Sequence, residues 1–317
     1  MTEHGNRHIG PQREYRAVCF DLDGTLLPMD IQEFLGSYFK SLTEFIAQRG
    51  ADPQLLKKAL NAGTHAMTLN QGPQTNEQVY WSTFMDVMER HAPEQERRTL
   101  EQWQELFTEF YETRFDAVGR NSEPSLAMVR AVKTLAEKNY PLLLTTMPLF
   151  PPVAVKLRLG WAGIDADLFS RLTQYENSTA AKPSLRYYAE NLASMGVDGS
   201  EVLMVGNNTV EDLAFCKLGA DAYLVTDYLL DPVGLDLATV KHGSAQEFAD
   251  WVDALPVCAH PVEYVCTGPV DSQLTDQVLD SCGCLSPEEL KAAEEEAAAA
   301  ARFNQKVAGE LAPTPVQ

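Results

Sequence analysis

Short apolar runs and longer apolar stripes alternate along the chain with turn-forming residues. The first run, Ala17-Val18-Cys19-Phe20, is rich in β-branched and aromatic residues and stops abruptly at Asp21-Leu22-Asp23-Gly24-Thr25. That pattern predicts a buried strand running into a tight turn. Apolar residues then recur at helical spacing: Ile31, Phe34, Leu35, Tyr38, Phe39, Leu42, Phe45 and Ile46; then Leu55, Leu56, Ala59 and Leu60. Further stripes run through Val79, Tyr80, Phe84, Val87 and Met88, and from Leu100 through Trp103, Phe107 and Phe110 to Phe115. Pro53, Gly72-Pro73 and Pro93 punctuate them. Residues 29–120 therefore read as a helical subdomain inserted after the first strand.

From about residue 121 the texture changes. Val129, Val132 and Leu135 give a helix face, Leu142-Leu143-Leu144 a strand ending in Thr145-Thr146, and Pro152 to Leu159 a second helix. Pro183 to Met195 reads as a helix and Glu201 to Val205 as a strand ending in Gly206-Asn207-Asn208. A helix from Val210 to Leu218 and a strand from Ala222 to Val225 follow. Strands alternating with helices predict an α/β fold, a doubly wound parallel sheet covered on both faces. Its core is assigned to residues 15–28 and 121–255, leaving 256–317 as a C-terminal extension. That extension carries an Ala/Glu-rich helix within 286–309 and ends in a Pro-containing segment expected to be disordered.

Composition narrows the function classes. Of 317 residues, 25 are Lys or Arg and 45 are Asp or Glu, a formal net charge of −20. Such a surface repels nucleic-acid phosphates and anionic membranes. The polar start, MTEHGNRHIGPQREYR, has no apolar signal core, and no apolar stretch approaches the ~20 residues that span a bilayer. The expectation is a cytoplasmic protein with reduced thiols. Cys258, Cys266, Cys282 and Cys284 cluster with His260 but lack paired Cys-x-x-Cys spacing, so no zinc site is expected; Cys19 and Cys216 read as small buried apolar residues.

In an open parallel sheet, ligands bind at the carboxyl ends of the strands. Three predicted strand ends carry suitable groups: Asp21 and Asp23; Thr145 and Thr146; Asn208 and Asp212; and Lys182 precedes a further helix. Two carboxylates two residues apart can divide the work, one attacking phosphorus and the other moving the leaving-group proton. Gly24 lets the backbone approach a phosphate, and Lys182 supplies a point charge. Asn208 to Asp212 can also simply cap the helix beginning near Val210.

Phe20-Asp21-Leu22-Asp23-Gly24-Thr25 resembles the first motif of the haloacid dehalogenase-like hydrolase superfamily. The later motifs follow in the family's order: Leu-Leu-Leu-Thr-Thr, Lys182-Pro183, then Gly206-Asn207-Asn208 with Glu211-Asp212. The resemblance covers residues 15–255 and implies that the helical insertion is a cap closing over the site. It implies a Mg²⁺-dependent phosphatase acting on a small phosphorylated metabolite through an aspartyl-phosphate. Asp21 resembles the nucleophile and a Mg²⁺ ligand, and Asp23 the general acid/base with its carbonyl on the metal. Gly24 and Lys182 resemble phosphate-binding positions, as does Thr146, with Thr145 the alternative. Asn208 and Asp212 occupy the two acidic positions of the fourth motif, Asn208 on the metal and Asp212 behind it. Two positions depart from the pattern: Met147 stands where Asn is frequent, and Asn208 replaces an acid. The rival readings are a phosphate-binding or regulatory protein on the same fold and a phosphomutase; dehalogenation fits less well, because Asp23 supplies an acid that ester cleavage requires.

Overall fold

The computed structural model describes residues 13–119 and 122–281. Strand β1 (Ala17–Phe20) lies inside a six-stranded, all-parallel sheet with β2 (Leu142–Leu144), β3 (Phe169–Leu172), β4 (Val202–Gly206), β5 (Asp221–Val225) and β6 (Lys241–Gly243), in the order β3-β2-β1-β4-β5-β6. Val18 pairs with Leu142 on one side and Leu203 on the other. The central strands are apolar throughout because both faces are covered. Val18, Phe20, Leu203 and Val205 point to the side of α5 (Leu126–Glu137) and α8 (Ala245–Asp253), where Val132, Phe248 and Trp251 complete the layer. Ala17, Cys19, Leu143 and Met204 point to the side of α7 (Leu185–Met195), packing with Leu185, Tyr188, Leu192 and Phe215.

The chain runs outward from β1 through β2 to β3, then returns to β1's other side as β4. This reversal is a topological switch point, and the carboxyl ends of β1 and β4 beside it are the position where such sheets hold ligands.

Four helices intervene between β1 and α5: α1 (Ile31–Ala47), α2 (Pro53–Thr68), α3 (Asn76–His91) and α4 (Leu100–Thr113). Each starts where the sequence supplies a cap. Asp30 and Asp52 accept backbone N–H bonds from the first turns of α1 and α2, and Thr75/Gln78 and Thr99/Gln102 form reciprocal capping boxes. The aromatic stripes form the interior of this cap: Trp103 packs edge-on to Phe84, and Phe107 against Trp81. The α2–α3 turn is fastened to the core. Gly72, Asn76 and Glu77 donate backbone N–H bonds to the carbonyls of Thr179, Ser178 and Tyr175, and the buried Asn76 side chain donates to those of Pro148 and Ala180.

Two expectations are corrected. The segment Val210–Leu218 is not an α-helix; only Leu213–Leu218 is helical, as a 3-10 coil. The Asp212 carboxylate accepts the N–H groups of Asn207 and Asn208, which draws 207–212 into a turn before a helix can begin. Cys216 is exposed, not buried. Beyond α8, residues 256–271 run past the amino end of β1, where Val262 donates its N–H to the carbonyl of Arg16, to α9 (Ser272–Ser281), which packs on α7 through an Arg186–Asp276 ion pair at 2.7 Å. The Ala/Glu-rich stretch, Cys282 and Cys284 lie outside the described residues. No helix among the described residues is long and apolar enough to cross a membrane.

Candidate active site

Asp21 is the first residue past β1. Its N–H still donates to Val205, so the sheet ladder fixes its position at the strand end, where it is buried. The chain then turns within a few residues: Thr25 and Leu27 donate to the carbonyl of Leu22, and Gly24 donates to that of Leu27. Gly24 has φ +82°, and a Cβ there would lie 2.1 Å from Nδ2 of Asn207. Only glycine meets both conditions.

Lys182 joins the strand ends. Its Nζ donates to Asp21 Oδ1 at 2.7 Å and to Asp212 Oδ1 at 2.6 Å. Burial alone would depress this ammonium, but Asp21 and Asp212 outweigh it and hold it well above the ordinary lysine value. Asp212 is fixed from its other side, Oδ2 accepting the backbone N–H groups of Asn207 and Asn208 at 2.9 Å each. Burial, with Asp21 adding, pushes the Asp212 carboxyl up to about 6 against the pull of Lys182. Asp21 Oδ2 is not engaged by Lys182 and has Thr25 Oγ1 at 3.3 Å.

Asp23 faces a different cation. Arg158, on α6 (Pro152–Trp161), donates from Nη2 to Asp23 Oδ2 at 2.7 Å and lies 3.4 Å from Thr146 Oγ1. Burial raises the Asp23 carboxyl to about 6; Arg158 opposes that rise and Asp21 adds to it. A carboxyl poised there can give and take a proton near neutrality. The two adjacent threonines separate. Thr145 turns its hydroxyl back to the carbonyl of Phe20, with Met204 Sδ at 3.4 Å. The Thr146 hydroxyl lies on the Asp23 side, and its carbonyl accepts from Thr173 and Tyr187.

The two asparagines also differ. Asn208 Oδ1 accepts the N–H groups of Val210 and Glu211 at 3.0 Å each, closing the turn that precedes the 3-10 coil. Asn207 joins the surroundings of Asp21: its Oδ1 is 3.3 Å from Thr25 Oγ1, and its Nδ2 donates to the carbonyl of Tyr228 at 2.6 Å. Asn207 and Arg158 are the residues that sequence reasoning missed. Arg158 had a signal: with Ala154, Val155, Leu159 and Ala162 it continues one apolar helix face, and it is fully buried there.

The groups that the sequence assigns to a cation are all oxygens, the Asp21 carboxylate, the Asp23 carbonyl and the Asn208 amide, of which Asn208 Oδ1 already accepts two backbone N–H groups. Such a set suits Mg²⁺ in kind, though it is poor in charge. Among the described residues no group of three or more His, Cys, Asp or Glu side chains could hold a metal.

The sequence matches the haloacid dehalogenase-like hydrolase family over residues 15–219. No curated protein matches the chain. Solved structures share the architecture at low identity. A 2-haloacid dehalogenase from Pseudomonas syringae pv. tomato DC3000 is 17% identical, with 76% of this chain and 98% of that one covered and a TM-score of 0.51. A predicted phosphoglycolate phosphatase from Haemophilus somnus 129PT is 16% identical over 75% of this chain and 97% of that one, with a TM-score of 0.46. These likenesses concern the fold alone.

Proposed function

Within the haloacid dehalogenase-like hydrolases, the family to which this chain belongs, we propose that the protein is a Mg²⁺-dependent phosphomonoesterase acting on a small phosphorylated metabolite. The observation that carries this reading is Asp23: a carboxyl raised to about 6, two residues past Asp21 at the same strand end. A departing halide needs no proton, whereas a departing alkoxide does, so a poised acid beside the nucleophile favours ester cleavage over dehalogenation.

Asp21 attacks phosphorus with Oδ2, because Oδ1 is held by Lys182. The P–O bond to the alcohol breaks, and Asp23 hands its proton to the leaving oxygen. Asp23 then takes a proton from the water that attacks the aspartyl-phosphate, releasing phosphate and restoring Asp21. Lys182 keeps the nucleophile oriented and supplies positive charge next to the transferring group. The Thr146 hydroxyl and the backbone around Gly24 serve the phosphoryl oxygens. The Asp21 carboxylate, the Asp23 carbonyl and the Asn208 amide oxygen would hold Mg²⁺, which would supply charge neutralisation between the two anions.

The test is phosphate release from a panel of metabolite esters with and without Mg²⁺. Asp21→Asn should abolish turnover with the fold intact, and Asp23→Asn should suffer most with alcohols that leave poorly. Near wild-type turnover in Asp21→Asn would overturn the mechanism. The engagement of Asn208 Oδ1 by two backbone N–H groups favours a second reading, a phosphate-binding protein without turnover; tight phosphate binding with no release from any ester would establish it.

A further inference from the structure

Asn76 is a polar residue where the pattern of α3 asks for an apolar one. Asn76, Tyr80, Phe84 and Met88 recur at helical spacing and form one buried stripe of that helix. Nor is Asn76 needed as a cap, because Thr75 and Gln78 already close a capping box over the first turn. Its side chain is fully buried and is paired at both ends. Nδ2 donates to the carbonyls of Pro148 at 3.2 Å and Ala180 at 3.0 Å, and Oδ1 accepts from Nδ2 of Asn70 at 2.9 Å. Asn70 ties the same turn together, donating also to the carbonyl of Gln74 and accepting the N–H of Gly72. Two carbonyls on one side fix the orientation of the Asn76 amide, since only its NH₂ end can face both.

Those two carbonyls belong to different loops of the core. Pro148 lies two residues past Thr146, and Ala180 lies two residues before Lys182. The sheet ladder positions Asp21 directly, but β2 ends at Leu144, and Lys182 falls between β3 and α7. These two loops therefore depend on contacts outside the sheet. Thr173 and Tyr187 hold the carbonyl of Thr146 from within the core, and the carbonyls of Pro148 and Ala180 receive their donor from the cap. Pro148 and Ala180 are both buried, so water does not replace a donor lost there.

We propose that Asn76 is a positioning residue: its amide sets the spacing of the Thr146 and Lys182 loops, so that a residue of the cap completes the phosphate-binding geometry of the core. This rests on the phosphomonoesterase reading above and concerns what holds that site together. A transferring phosphoryl group needs both loops at a fixed separation, and a misplacement of about 1 Å can cost about a hundredfold in rate. The main-chain bonds from Gly72, Asn76 and Glu77 to Thr179, Ser178 and Tyr175 attach the cap; the Asn76 side chain links the two loops.

Side-chain variants isolate this brace, because the main-chain bonds that dock the turn survive them. Asn76→Ala removes both donors, and Asn76→Asp keeps the shape but turns an oxygen towards two carbonyls. Asp116→Ala is the control: it removes the Asp116–Trp161 bond at another seam of cap and core, which involves neither loop. The measurements are melting temperature, calorimetric affinity for inorganic phosphate with Mg²⁺ present, and kcat and KM for phenyl phosphate. Both Asn76 variants should bind phosphate at least about tenfold more weakly and lose at least about thirtyfold in kcat/KM. Misplaced Lys182 lowers kcat and misplaced Thr146 raises KM, so the loss should divide between the two. Asp116→Ala should stay within about twofold of wild type in both affinity and turnover. Asn70→Ala, which leaves the Asn76 amide in place but unsupported, should fall between, and it supplies the same test if Asn76→Ala does not fold. Adding Asn76→Ala to it should cost no more than Asn76→Ala alone. Phosphate affinity and turnover within about twofold of wild type in the Asn76 and Asn70 variants, with only the melting temperature lowered, would overturn the proposal. So would a wild-type protein that binds no phosphate. Asn76-dependent phosphate binding without release from any ester would instead refute the phosphomonoesterase reading alone.

Discussion

Replacing Lys182 with Met keeps an unbranched stem of similar length and removes the ammonium. That ammonium contacts two carboxylates, at 2.7 Å and 2.6 Å, and is itself 2% exposed. Removing one partner of a buried ion pair costs about 3–5 kcal/mol, because the remaining charge is stranded. Here two carboxylates are stranded together, so we expect a loss of about 3–5 kcal/mol at pH 8. The penalty must depend on pH. Asp212 is already raised to about 6 with Lys182 present, and Lys182 acts to lower it, so its loss pushes the carboxyl higher still. A carboxyl raised in the folded state binds protons that the unfolded chain does not. Its ionisation therefore removes stability as pH rises from the unfolded value through the folded one. The deficit of Lys182→Met should be largest at pH 8 and should shrink by about half towards pH 5. Adding Asp212→Asn should recover part of it at pH 8, because one of the two stranded charges disappears. Urea unfolding followed by tryptophan fluorescence and circular dichroism at both pH values measures this. A loss below about 1 kcal/mol at pH 8, or an equal loss at both pH values, would refute the reasoning.

Gly24→Ala combines a positive φ with a Cβ 2.1 Å from Asn207 Nδ2, which must break the bond from Asn207 to Tyr228. The expected cost is about 2–4 kcal/mol by urea unfolding. Asn208→Asp should keep the bonds from the N–H groups of Val210 and Glu211, leave stability within about 1 kcal/mol of wild type, and lower the Mg²⁺ concentration for half-maximal activity. Identical magnesium titrations would show that residue 208 is not a ligand. Glu190 is buried, and burial raises its carboxyl to about 7, with the N–H of Thr179 and Arg171 opposing. Wild-type stability should therefore fall relative to Glu190→Gln as pH rises from about 4.5 through 7, and parallel pH–stability curves would exclude this.

The parts of the fold readable in the sequence are those where burial dictates residue type. The runs Ala17–Phe20 and Leu142–Leu144 are covered on both faces and so are apolar at every position. Edge strand β3 is Phe-Ser-Arg-Leu, and β6 is Lys-His-Gly; neither has such a run, and only pairing with a neighbour makes them strands. In the site, Asp21, Asp23 and Lys182 were legible because strand ends and motif order fix them. The division of labour between Thr145 and Thr146 was not, since it depends on which way each hydroxyl turns. Arg158 acts across 135 residues on Asp23, and Asn76 across 104 on Ala180. Periodicity reports that a position is buried; it carries no information about the partner.

The placement of β1 also has a consequence for synthesis. Its register partners, Leu142 and Leu203, are made long after Val18, because the four cap helices and more intervene. At ribosomal speeds of roughly 5–20 residues per second, β1 waits several seconds to tens of seconds with both edges unpaired. Throughout that interval an apolar tetrapeptide, followed directly by Asp21, has the unpaired backbone groups of a template strand and nothing to pair with. The cap helices, built from local contacts, can form meanwhile. The nascent chain is therefore most exposed to mispairing and chaperone capture before β4 emerges, and Asp21 gains its contact with Lys182 only when the sheet closes around it.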